Sequence, residues 1–121
     1  MVRQWCIQAA RAADDKKGDA IVILEVGRVL AIADAFVITS GANPRQVRTI
    51  VEAIEEKVKQ DGGPSPLRIE GLDDARWVLM DYGDFVVHVF LDEVRQFYDP
   101  ERLWRDAPVW NWREERAVAA E

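Results

Sequence analysis

The sequence predicts a single α/β (α+β) domain with a mixed β-sheet of about five strands flanked by helices. Three observations carry that reading. Segments of helical period alternate with short β-branched runs along the whole chain. The run Gly83-Asp84 between two apolar strands is a hairpin signal. The length of 121 residues suits one compact domain and is short for two.

The first element is a helix over residues 2–16, with Val2, Trp5, Cys6, Ala9, Ala10 and Ala13 near helical spacing. Lys16 and Lys17 suit the negative end of its dipole, and Gly18 stops it. Residues 20–26 then read as a strand. Its run Ile21-Val22-Ile23-Leu24 is continuous rather than alternating, which predicts burial on both faces. Gly27-Arg28 supplies a turn before a second β run over 35–39 that stops at Ser40-Gly41. The central helix is marked by Asn43 as N-cap, Pro44 at the first helical position and Gln46 three residues past the cap, the spacing of a capping box. Val47, Ile50, Val51, Ile54 and Val58 form one apolar stripe, Arg48–Glu52 and Glu55–Lys59 are i,i+4 pairs of opposite charge, and Gly62-Gly63-Pro64-Ser65-Pro66 ends the helix.

Three further strands follow, at 67–70, 76–82 and 85–91. Gly83-Asp84 fits a type II′ turn, which sets a register with Tyr82 opposite Phe85, Met80 opposite Val87 and Val78 opposite Val89 on an apolar face. The other face carries Asp81 with Val86, Leu79 with His88 and Trp77 with Phe90, and its mixed chemistry marks a contact surface. Residues 92–98 read as a short helix and 100–104 as a further turn or helix. From Ala107 onward the chain reads as a flexible tail, so the expected boundaries are a domain over 1–106 and a tail over 107–121, with Trp110 and Trp112 exposed or held by a partner.

Composition narrows the function. Sixteen Lys/Arg against 22 Asp/Glu give a net charge of −6, which lacks the basic field of a non-specific nucleic-acid binder and complements a basic protein surface. The longest apolar run breaks at Glu25, well short of a membrane span, and residues 1–6 carry no apolar leader, so a cytoplasmic location is expected. One Cys and one His cannot supply a zinc set, and neither Ser40 nor Ser65 lies in a nucleophile elbow; no cofactor and no metal are expected. Cys6 reads as a helix-packing residue and His88 as a hydrogen-bonded structural or interface residue. Of the five Trp, Trp5 and Trp104 are expected to pack, while Trp77 lies on the mixed hairpin face.

The segments Arg68-Ile69-Glu70-Gly71 and Trp77-Val78-Leu79-Met80-Asp81-Tyr82-Gly83-Asp84-Phe85-Val86-Val87-His88 closely resemble the ribosomal silencing factor (iojap-like) family. Ile32-Ala33-Asp34-Ala35-Phe36-Val37-Ile38, with Ser40-Gly41 and Gln46, and the later Arg95-Gln96-Phe97-Tyr98 and Glu101-Arg102-Leu103-Trp104 extend the likeness from about Arg3 to Asp106. Ala35 stands where the family often has a larger residue. The resemblance implies a domain related to the nucleotidyltransferase fold and a role without catalysis. That role is docking on the large ribosomal subunit through the ribosomal protein of the L-fourteen family, which blocks joining of the small subunit and lowers translation when nutrients are scarce. The expected contact residues are Trp77 as desolvated anchor, Asp81 and Asp84 facing Lys or Arg, and Tyr82 and Glu70 in support. A homodimer in the free state is also implied; direct DNA and membrane partners are not. Two rival readings stand: a metal-dependent nucleotidyltransferase using Asp73, Asp81 or Asp84, and a self-associating module pairing through the mixed hairpin face. Asp73-Asp74 are adjacent rather than alternating, which argues against the enzyme.

Overall fold

The structure is a computed structural model and describes residues 1–27 and 33–113. The elements in chain order are α1 (Val2–Asp15), β1 (Asp19–Glu25), β2 (Ala35–Gly41), α2 (Pro44–Gln60), β3 (Arg68–Glu70), β4 (Trp77–Asp81), β5 (Phe85–Leu91), α3 (Asp92–Tyr98), α4 (Pro100–Leu103) and β6 (Val109–Trp110). The six strands form one mixed sheet in the order β3-β4-β5-β2-β1-β6. Only the β2–β5 pair is parallel, because α2 and the β3–β4 strands carry the chain back to the starting end between them; every other pair is antiparallel.

Small residues shape α1. Cys6, Ala9, Ala10, Ala12 and Ala13 are buried, so its backbone approaches α2 and the sheet closely. Lys17 takes a left-handed conformation at φ 64°, and the Gly18 N–H bonds the Ala13 carbonyl at 2.8 Å, which turns the chain into β1. The α2 cap follows the sequence with one difference. Asn43 Oδ1 accepts from the Gln46 backbone N–H at 2.8 Å as expected. Gln46 Oε1 accepts from the Ala42 N–H at 2.7 Å instead of that of the cap residue. Its Nε2 donates to the Lys16 and Lys17 carbonyls at 3.1 and 3.0 Å. The start of α2 thus satisfies the end of α1, a tertiary role no capping pattern encodes. All five stripe residues of α2 are buried. Arg48 sends its guanidinium away from its own helix, to the Leu72 and Asp73 carbonyls.

The hairpin register is as expected at every position from Trp77↔Phe90 to Asp81↔Val86. The Tyr82 N–H donates to the Phe85 carbonyl at 3.0 Å, and Gly83 alone of the two turn residues has positive φ, at 86°, as a type II′ turn requires. Helices α1 and α2 cover the sheet face carrying Val78, Met80, Tyr82, Phe85, Val87 and Val89. Contacts of Trp77 with Tyr98 and of Phe36 with Trp104 place α3 and the segment after α4 on the opposite face.

Two expectations need correction. Strand β1 is buried on both faces only at Ile23 and Leu24, since β2, rather than β1, is the strand enclosed along its whole length. The expected tail is also not free over 107–113. Val109 and Trp110 pair antiparallel with Leu24 and Ile23, Ala107 and Trp112 are buried, and Trp112 Nε1 donates to the Ile21 carbonyl at 3.2 Å. Trp110 is half-buried beneath the Arg3 guanidinium. The sheet therefore has six strands rather than five, and a boundary at residue 106 falls inside the packed body. The rest of the expected tail, 114–121, lies outside the described residues, as does Arg28 of the expected Gly27-Arg28 turn.

Candidate functional site: an aromatic groove on the open sheet face

Alternation along β3, β4 and β5 places Glu70, Arg68, Trp77, Leu79, Asp81, Val86, His88 and Phe90 on the face away from α1 and α2. Helix α3 covers one end of this face only. There, Arg76, Trp77, Glu93, Val94, Phe97 and Tyr98 line a groove of about 410 Å³. Trp77 is 40% exposed, Tyr98 51% and Phe97 81%, a concentration of open aromatic area that a chain with a sufficient core does not need for folding.

Each ring is held by its neighbours. Trp77 stacks on Phe90 with centroids 4.8 Å apart and lies 5.2 Å from Tyr98, which meets Phe97 edge-on at 5.1 Å. The Trp77 Nε1–H donates to His88 Nδ1 at 3.1 Å. His88 is buried against Phe36, 4.7 Å away, and burial pulls its pKa down from 6.5 to about 4. The imidazole is thus neutral near pH 7, with its proton on Nε2, a buried atom with no hydrogen-bond partner among the described residues.

A pH dependence follows. The folded pKa lies below the unfolded value, so the unfolded state binds more protons between them. Stability from this group is complete above pH 6.5 and is lost as pH falls toward 4, with about 3 kcal/mol at stake. Urea midpoints at pH 7 and pH 4.5 should differ more for the native sequence than for His88→Phe; equal differences would refute the assignment.

The expected contact residues separate. Trp77, Glu70 and Asp84 are exposed. The Asp84 carbonyl accepts from the Asp34 N–H at 2.7 Å, which fixes the turn tip to the start of β2. Asp81 is half-buried and engaged within the chain. Its Oδ1 accepts from the Gly83 N–H at 2.8 Å, and its Oδ2 lies 3.5 Å from Arg68 Nε. Tyr82 is a correction. It is buried on the α2 side, stacked on Phe85 at 4.5 Å, with nearby Glu55 adding to the burial that pushes its hydroxyl pKa up. It cannot share a surface with Trp77, and the hairpin alternation had already put it on the apolar face.

Asp73 and Asp74 lie exposed in the turn before β4, and no group of three or more His, Cys, Asp or Glu among the described residues is placed to hold a metal ion. Cys6 is a buried thiol whose pKa burial raises to about 12, with Asp34 adding to the effect, which suits packing rather than nucleophilic chemistry. Sequence reasoning did not single out Phe97 and Tyr98 for this site. The available signal was two adjacent aromatics ending a helix too short to bury both.

By fold and site this is a small α+β domain, its mixed sheet covered on one face by α1 and α2 and carrying an aromatic groove beside α3 on the other. A family model described as ribosomal silencing factor during starvation matches residues 2–121, and the chain belongs to that family. The match runs through the segment after Asp106, beyond the end of the resemblance noted in the sequence. The chain is 45% identical over 101 residues to the ribosomal silencing factor RsfS of Halalkalibacterium halodurans, covering 84% of this chain and 86% of that protein. It is 42% identical over 101 residues to RsfS of Bacillus subtilis, covering 84% and 85%. The crystal structure of a protein from Chromobacterium violaceum superposes with a TM-score of 0.81 at 33% identity, covering 86% of each chain. The family's role is regulatory. No helix among the described residues is long and apolar enough to cross a membrane.

Proposed function

We propose that this protein docks on the large ribosomal subunit through the ribosomal protein of the L-fourteen family and silences the ribosome in the cytoplasm by obstructing the small subunit when nutrients are scarce. The observation that carries this reading is the exposed Trp77–Phe97–Tyr98 patch beside its groove. Aromatic residues on a partly open face are typical binding hot spots, and the net charge of −6 complements a basic ribosomal protein. Trp77 is the anchor. Glu70 lies on the β3 edge of the same face and Asp84 at the far, turn end of the hairpin, and both carry charge that steers association with Lys and Arg. Asp81 acts mainly by shaping the Gly83 turn. The mechanism needs no chemical step, since a bound domain of this size occupies space that the small subunit would otherwise fill.

Co-sedimentation with purified large subunits, paired with light scattering of subunit joining, tests the reading. The native protein should co-sediment and reduce joining. Trp77→Ala should weaken binding by about 30-fold, the scale of a hot-spot truncation. Asp84→Lys should act more weakly and chiefly at low salt. Joining unaffected by saturating protein would overturn the proposal. In the free state the same patch offers a homodimer surface. Dimer and ribosome would then compete, and added large subunits should dissociate any dimer detected by light scattering.

A further inference from the structure

We propose that His88 is a positioning residue for docking: its Nδ1 accepts the Trp77 indole N–H and so fixes which edge of that ring meets the partner. The inference rests on the reading of Trp77 as the anchor. An indole N–H is a donor only, and on a ring 40% exposed it would ordinarily turn to water. Here it turns inward, 3.1 Å from a nitrogen of a residue that is itself 6% exposed.

The sheet makes this pairing available. Trp77 lies opposite Phe90, and His88 is two residues along β5 on the same face, the diagonal position that long side chains reach. Stacking on Phe90 sets the plane of the indole, but a plane alone does not decide which edge of the ring faces inward and which faces the groove. The hydrogen bond decides it. With the N–H edge held inside, the edge left at the groove is hydrocarbon. A partner can then cover it with the aliphatic stem of a Lys or Arg and leave no polar group unsatisfied.

A purely structural role would not require imidazole at this position. Phe or Leu would also pack against Phe36 and Phe90; what His88 adds is an acceptor. Accepting at Nδ1 sets the tautomer, since the proton must then sit on Nε2. Holding the ring before the encounter also removes rotamer freedom that binding would otherwise have to freeze.

The test combines affinity for purified large subunits with the ¹H–¹⁵N resonance of the Trp77 indole, assigned by its loss in Trp77→Phe. His88→Phe keeps an aromatic ring, somewhat larger than imidazole, and removes the acceptor, whereas His88→Asn keeps an acceptor near the Nδ1 position. His88→Phe should weaken binding by about tenfold and shift the indole resonance toward that of a water-exposed Trp; His88→Asn should recover most of both. In a Trp77→Phe background, His88→Phe should change affinity no further. An equal loss in both backgrounds, or native affinity in His88→Phe, would overturn the inference. If His88→Phe does not fold, His88→Asn decides alone: near-native affinity and resonance support the role, and loss of either refutes it. If Trp77→Ala itself binds normally, the anchor reading falls and this inference with it; if Trp77→Ala binds weakly while His88→Phe binds normally, this inference alone falls.

Discussion

Arg95→Met is expected to lower the unfolding free energy by about 3 kcal/mol and the melting temperature by roughly 10 °C. Arg95 is buried, and its guanidinium ties four parts of the chain together. Nη1 donates to the Asp19 carbonyl at 3.0 Å and to Ser40 Oγ at 3.2 Å. Nη2 donates to the Ala20 carbonyl at 2.6 Å, and Nε bonds Glu101 Oε1 at 2.7 Å within a close ion pair. Met preserves much of the stem packing but supplies no donor, so the Ala20 carbonyl and the buried Ser40 hydroxyl lose the guanidinium's hydrogen bonds, and the Asp19 carbonyl keeps the bond from the Thr39 hydroxyl. Ala20 has a φ of 43° in that segment, a conformation the Arg95 bond helps to hold. The change should reach the groove as well, because α3 carries both Arg95 and the exposed Phe97 and Tyr98. Chemical denaturation and large-subunit binding should therefore weaken together. Native stability in Arg95→Met would show that the guanidinium is dispensable, and native binding at reduced stability would show that the groove does not depend on this tether.

Arg95 also shows where sequence reasoning stops. A short helix over 92–98 is legible, but the burial of one of its basic residues depends on backbone carbonyls 75 and 76 positions earlier. No local period carries such information. Strand β6 is hidden for the same reason. Two residues fall below any periodicity, and their order comes from pairing with β1 and from the seat of Trp112 on Ile21. The hairpin and α2 were legible because their determinants are local: Gly83 sets the turn, alternation sets the faces, and Asn43 with Pro44 sets the helix start. Placement of Trp77 and His88 on one face followed from that register. The bond between them did not, since alternation gives the face of a side chain and not the direction of its polar atoms.

Gly71→Ala should be damaging although Gly71 is at the surface. A Cβ built there would lie 2.2 Å from the Trp77 carbonyl oxygen, and φ at this residue is +90°. The first problem is the more severe, because the atom in the way is backbone and no rotamer change removes it. The turn must open, and with it the Ala75 N–H to Gly71 carbonyl bond of 2.9 Å. Strain at positive φ adds about 1 kcal/mol, and the displaced backbone brings the expected loss to about 3 kcal/mol. Gly71→Asn separates the causes. Asn tolerates left-handed backbone better than Ala but carries the same Cβ. If conformation dominated, Asn would recover much of the loss; if the approach to Trp77 dominates, Asn and Ala should fail alike. Because the turn abuts the very residue that begins β4, Trp77 should shift as well. Large-subunit binding is then expected to fall by more than stability alone explains, measured at a temperature where both variants remain folded. Native affinity in a folded Gly71→Ala variant would mean that the position of the Trp77 backbone does not govern docking.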